Sequence, residues 1–173
     1  TYPFKQDIMP FLDGIDAVAA AIGAINTVVL GEERIGHNTD CWGFAESFRT
    51  GMAGVPLSHA VMFGAGGAGS AVGYALTELG VDRLSIVDAD PARAEALAKR
   101  LDSAGATEVV PALNVAGALA MANGIVNTTP VGMIKHPGTP FPAALLRPTH
   151  WVADVIYFPR ETELLRAARA LGC

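Results

Sequence analysis

A chain of 173 residues, 51% hydrophobic and only 17% charged, is long enough to bury a core and too apolar to be disordered. Its 17 acidic against 12 basic residues leave a net charge of -5, which gives no electrostatic footprint for nucleic acid or an anionic membrane. Two cysteines, Cys41 and Cys173, cannot build a disulfide framework and point to a reducing, cytoplasmic setting. The apolar stretch from Ala17 to Leu30 is too short to span a bilayer, and Asn26 and Thr27 interrupt it. No basic leader or lipidation motif is read at the start. The opening at Thr1 without methionine and the stop at Gly172-Cys173, straight after an amphipathic helix, read as part of a longer protein.

In chain order, Ile25 to Leu30 and Arg34 to His37 are extended runs flanking a hairpin-like turn at Gly31 to Glu33. Thr39 is expected to cap a helix with apolar positions at Cys41, Phe44, Ala45, Phe48 and Met52. Gly51 to Pro56 reads as its stop and a linker. From His59 onward short apolar runs alternate with helical patterns. Strands are expected at 59–63, 84–87, 107–110, 125–127 and 151–156, and helices at 67–79, 91–101, 114–122 and 161–171, with Asp90 and Pro91 opening the second of these. Such alternation predicts βαβ units and a parallel sheet whose strands are buried on both faces. The fold class is therefore α/β. A doubly wound, Rossmann-like parallel-sheet domain over 56–173 is preceded, over 1–55, by the C-terminal part of a smaller α/β domain and a connecting helix.

The sharpest local signal is Gly64-Ala65-Gly66-Gly67-Ala68-Gly69, directly after the strand ending at Phe63. It matches G-x-G-x-x-G, in which the first glycine makes the tight turn, the second admits a pyrophosphate and the third lets helix and strand pack closely. The N–H groups opening the helix face the phosphate oxygens. The plain alternative is a tight turn with no ligand. Asp88, about 20 residues past the loop at the end of the second strand, suits an acid on the adenine ribose. A carboxylate there accepts both ribose hydroxyls of NAD but repels the 2'-phosphate of NADP by about 4 kcal/mol per charge pair at 4 Å and an effective dielectric near 20. Arg93 either offsets that repulsion in part, pairs with Asp90 or packs on the adenine. NAD is the expected cofactor, with NADP disfavoured.

Five ordered segments then place the chain beside a known family. Thr1 to Lys5 looks like N-V-T-x-P-x-K with its first two residues cut away, Gly23 to Thr27 resembles G-A-x-N-T, and Gly36 to Asp40 resembles G-x-N-T-D. Asn127 to Met133 resembles N-x-T-P-x-G-M, and Asp154 to Tyr157 resembles D-x-x-Y. Together they resemble the shikimate and quinate dehydrogenases. The resemblance implies that Lys5 is the catalytic lysine and Asp40 its partner. It implies that Asn26 and Thr1 hold ring hydroxyls and that Tyr157 sits near substrate and nicotinamide. Asn127, Thr128, Thr129, Pro130 and Val155 are implied to line the cofactor cleft, alongside Gly64 to Ala68, Asp88 and Arg93. The chemistry suits these residue types, because oxidising a secondary alcohol sends a hydride to the nicotinamide and a proton to a base.

The sequence also departs from the family pattern. NADP-using members carry Asn-Arg-Thr where this chain has Asp88-Ala89-Asp90, a pattern similar to the NAD-using quinate/shikimate branch. The family's serine pair for the substrate carboxylate and its closing segment with a substrate-contacting glutamine do not occur in this sequence. No metal site is expected, since the four histidines and Cys41 lack ligand spacing. Phe44, Phe48 and Trp151 read as packing residues and Cys41 as a buried thiol. The resemblance implies a small-molecule partner, quinate or shikimate, and a monomer or homodimer. Two alternatives stand beside the dehydrogenase: a non-catalytic dinucleotide-binding or sensor module, and another two-domain dehydrogenase acting on amino acids or folates.

Overall fold

A computed structural model describes residues 4–102 and 107–173. The chain opens with a 3-10 turn at Met9–Phe11 and a short strand, β1 (Gly14–Ile15), before helix α1 (Ala17–Ile22). Asp16 caps α1 by accepting the Ala19 N–H at 2.9 Å, and Gly23, with φ +70°, closes it. Strands β2 (Thr27–Leu30) and β3 (Arg34–His37) form the expected antiparallel hairpin, and β1 joins β3 in parallel to give a three-stranded sheet, β1-β3-β2. Helix α2 (Asp40–Gly51) follows. Its cap differs from expectation: Thr39 makes no capping bond through its side chain, and Asn38 Oδ1 accepts the N–H groups of Asp40 and Cys41 instead. The Thr39 hydroxyl is engaged by Asn26, which leaves the capping to its neighbour.

The larger sheet is built from β4 (His59–Phe63), β5 (Arg83–Val87), β6 (Glu108–Pro111), β7 (Gly124–Asn127) and β8 (Trp151–Asp154). All four pairings are parallel and the order is β6-β5-β4-β7-β8. Order reverses beside β4, so the crevice at the carboxyl ends of β4 and β7 is the topological switch point, where open α/β sheets bind ligands. Helices α3 (Gly67–Glu78), α4 (Pro91–Asp102), α5 (Val115–Met121) and α6 (Glu163–Leu171) cover the two faces. The last strand stops at Asp154, two residues short of the expected end, because the Asp154 carboxylate takes the Ile156 N–H and turns the chain.

β4 is buried along its whole length, as a strand covered on both faces must be. On one face Met62, Leu76, Leu84, Ile86 and Leu97 form a core that Phe48 and Trp151 extend toward α2, the two rings meeting edge-on at 5.0 Å. On the other, Val61, Phe63, Ile125, Phe141 and Leu164 pack under α5 and α6. Helix α2 lies along α3, and Cys41 and Ala45 meet Ala71 and Ala75 there. Arg100 of α4 donates to the Ile22 carbonyl at 2.9 Å, a second tie between the two sheets' surroundings. Among the described residues no helix is long and apolar enough to cross a membrane.

Candidate active site

The turn from β4 into α3 is shaped by what its glycines lack. Gly64 has φ +103°, and its N–H reaches the Val87 carbonyl at 2.7 Å. A side chain on Gly69 would run into the Gly64 carbonyl oxygen, so strand and helix approach as closely as backbone allows. Thr128 closes the turn from β7, its hydroxyl lying 2.7 Å from the Phe63 oxygen and 3.0 Å from that of Gly64. Asp88 steadies the same turn from β5: Oδ2 accepts the Ala65 N–H at 2.6 Å and Oδ1 that of Asp90 at 3.0 Å. Asp90 accepts the Ala92 N–H at 3.0 Å, as expected of a residue opening a helix. The Arg93 guanidinium lies over the loop, 3.3 Å from where a Gly66 side chain would begin. A glycine-rich turn at a helix N-terminus, with a carboxylate at its rim, fits a dinucleotide.

The amine and carboxylate singled out in the sequence are joined. Lys5 Nζ pairs with Asp40 Oδ2, with the lysine side chain 15% and the aspartate side chain 39% exposed. Lys5 is held by its own backbone, whose carbonyl accepts the Ile25 N–H at 2.8 Å. Its methylenes lie on Gly67, where a Cβ would come within 2.9 Å of the lysine Cβ. The amine therefore stands beside the glycine loop. Asp40 opens α2 and is fixed on its other side by Asn26, whose Nδ2 donates to Oδ1 at 2.8 Å and to the Thr39 hydroxyl at 2.9 Å. Asn26 Oδ1 accepts the Thr39 N–H at 3.0 Å and the Thr27 hydroxyl at 2.9 Å. Thr27 and Thr39 were not singled out from the sequence as members of this network. Their place in G-A-x-N-T and G-x-N-T-D was the available signal.

Across the crevice, buried Asn127 ends β7. Its Oδ1 accepts the N–H and hydroxyl of Thr129, and its backbone carbonyl accepts the Val155 N–H at 3.1 Å. Pro130 is exposed on the loop that follows. Tyr157 is 86% exposed and makes no hydrogen bond or ion pair among the described residues, so the structure does not bring it into the network. Thr1 lies outside the described residues. Cys41, beneath Asp40, is buried, and burial pushes its thiol pKa up, as suits an inert packing residue. No cluster of three metal-ligating side chains occurs among the described residues.

Residues 1–28 match the family profile described as the Shikimate dehydrogenase substrate binding domain. The chain is 49% identical over 178 residues to the quinate/shikimate dehydrogenase (NAD(+)) of Corynebacterium efficiens, covering 100% of this chain and 63% of that protein. It is also 49% identical over 182 residues to the shikimate dehydrogenase (NADP(+)) of Streptomyces avermitilis, covering 100% of this chain and 61% of the relative. Its fold superimposes with a TM-score of 0.90 on quinate dehydrogenase from Corynebacterium glutamicum in complex with NAD, at 46% identity over 100% of this chain and 63% of that one. The chain thus spans less than two thirds of the length of these relatives. Along the whole of this chain, in sequence, in backbone and in the motif residues gathered at one crevice, it is similar to the shikimate and quinate dehydrogenases.

Proposed function

We propose that the full-length protein oxidises a ring hydroxyl of quinate or shikimate to the ketone with NAD, and runs the reverse reduction, with Lys5 handling the proton. The observation that carries this reading is the Lys5–Asp40 pair packed on Gly67, which sets a proton-transfer amine against a dinucleotide cradle. Gly64 to Ala68, Asp88 and Arg93 would hold the adenosine and pyrophosphate, while Asn127 to Pro130 and Val155 would line the nicotinamide side. When bound there, the nicotinamide would supply the hydride acceptor for the carbinol carbon.

The chain's own residues do the rest. As the neutral amine Lys5 Nζ takes the hydroxyl proton in oxidation, and as the ammonium it returns it in reduction. Asp40 Oδ2 orients that amine, and Asn26 locks the plane of the carboxylate through Oδ1. Asn26 and Thr1 contact ring hydroxyls, and Tyr157 closes on substrate. NAD is favoured by Asp88. Relatives named for NAD and for NADP match equally well by identity, so the local charge decides. A cytoplasmic location, the domain division at residue 55 and a monomer or homodimer complete the proposal.

The test is steady-state kinetics of the full-length protein, with quinate and shikimate crossed against NAD and NADP. Turnover with NAD is expected, falling ~10²- to 10⁴-fold in Lys5→Ala while NADH still binds by calorimetry. Equal use of NADP, or full activity without Lys5, would overturn it. Binding without turnover by the intact protein would favour a sensor module.

A further inference from the structure

The polar residues behind the crevice converge on one carboxylate that the proposed reaction does not use. Asn127 is fully buried, and its amide is saturated: Nδ2 donates to the Val131 carbonyl at 2.9 Å and to Asp154 Oδ1 at 3.1 Å, while Oδ1 serves both donors of Thr129. Asp154 Oδ1 also accepts the Ile156 N–H at 3.1 Å, and Oδ2 accepts the hydroxyl of Thr162 at 2.8 Å. Thr162, itself fully buried, uses its oxygen to cap α6 through the Leu165 N–H. Gly132, at φ +115°, lies against Ile156 and Thr162. One carboxylate thereby joins the loop after β7, the segment after β8 and the start of α6.

We propose that Asp154, acting with Thr162, is a positioning residue that fixes both lips of the cofactor cleft, Thr128 to Val131 on one side and Val155 and Ile156 on the other. The argument is one of hydrogen-bond polarity. An amide side chain is nearly symmetric in shape, so its orientation follows from its partners. A carboxylate only accepts, and it therefore commits the Asn127 NH₂ toward β8 and the carbonyl toward Thr129. With the amide reversed, its NH₂ would face the Thr129 N–H, donor against donor, and the loop would lose its anchor. The Val131 carbonyl and the Thr129 N–H favour the same orientation, and a carboxamide at position 154, which presents a donor as well as an acceptor, weakens the commitment they share with Asp154. Because Asp154 reaches the cleft through Asn127, its effect falls on cofactor affinity rather than on the proton transfer at Lys5.

The inference rests on the dehydrogenase reading for its functional consequence and on the loop alone for its structural one, so two readouts are paired. In full-length Asp154→Asn, amide hydrogen exchange at Thr129 and Val131 without ligand is expected to speed up at least tenfold. NADH affinity and the KM for NAD should weaken at least tenfold, with the KM for the ring acid within twofold and the pH profile of kcat unmoved. Thr162→Val should follow in the same direction and Thr162→Ser should stay near the parent, which covers the case of an Asp154 variant that does not fold. Unchanged exchange at both amides overturns the bracket. Faster exchange with unchanged NADH affinity, or an equal rise in both KM values, overturns its positioning role. A parent protein that binds no NADH while the variant still loosens the loop overturns the dehydrogenase reading, and the positioning role with it.

Discussion

Gly69 and Gly43 are both helical glycines, and space alone separates their consequences. A methyl group at Gly69 meets the Gly64 carbonyl, which is backbone and cannot swing aside, whereas one at Gly43 in α2 meets nothing within 4 Å. Gly69→Ala is expected to cost about 1–3 kcal/mol, the range of overpacking, and Gly43→Ala to add ~0.5–1 kcal/mol by removing chain entropy from the unfolded state. Urea unfolding of the two variants beside the parent checks both signs. At this scale the sequence marks Asp88 by its distance from the glycine loop, whereas Lys5, Asp40 and Asn26 stand out only through the family resemblance. Lys5, Asp40, Asn26 and Asp88 all lie in the crevice and its loop. What was missed was the choice between adjacent polar residues. Thr39 holds the N-cap position of α2 but Asn38 makes the capping bonds, since both side chains can cap and only the fold decides which of them Asn26 engages.

Among the elements, α2 matters because it carries Asp40 at one end and Phe48 at the other. Phe48 seats the helix on the edge of Trp151 at the start of β8, so the carboxylate's position depends on an aromatic contact far along the same rod. Phe48→Ala is expected to destabilise by ~3–5 kcal/mol. A thermal melt measures that loss, and Phe48→Leu, which refills part of the volume, should recover most of it. The larger sheet could be read in advance because β-branched runs alternated with helices carrying clear starts and stops. Helix α1 and strand β1 could not. The strand has only two residues and the helix is mostly alanine, which carries no periodic contrast; the Asp16 cap and Gly23 stop were its only punctuation.

Over the whole molecule, two buried imidazoles make stability sensitive to mild acid. His59, hydrogen-bonded to Ser85 at 2.8 Å, and His150, 2% exposed and bonded to the Leu119 carbonyl, both have their pKa lowered, chiefly by desolvation. In the unfolded chain each titrates near the usual ~6.5, so below that value the unfolded state binds more protons and stability falls with pH. Above it the contribution is complete and flat. Melting temperature should therefore drop between pH 7 and pH 5, with a shallower slope in a His59→Gln, His150→Gln double variant than in the parent. One contact reaches across both sheets' territories: the Lys5 stem resting on Gly67. A single patch of van der Waals surface thus joins the residue that would move protons to the turn that would receive the nucleotide. Anyone substituting Gly67 will shift the lysine as well, so nucleotide affinity and proton delivery must be re-optimised as one trait.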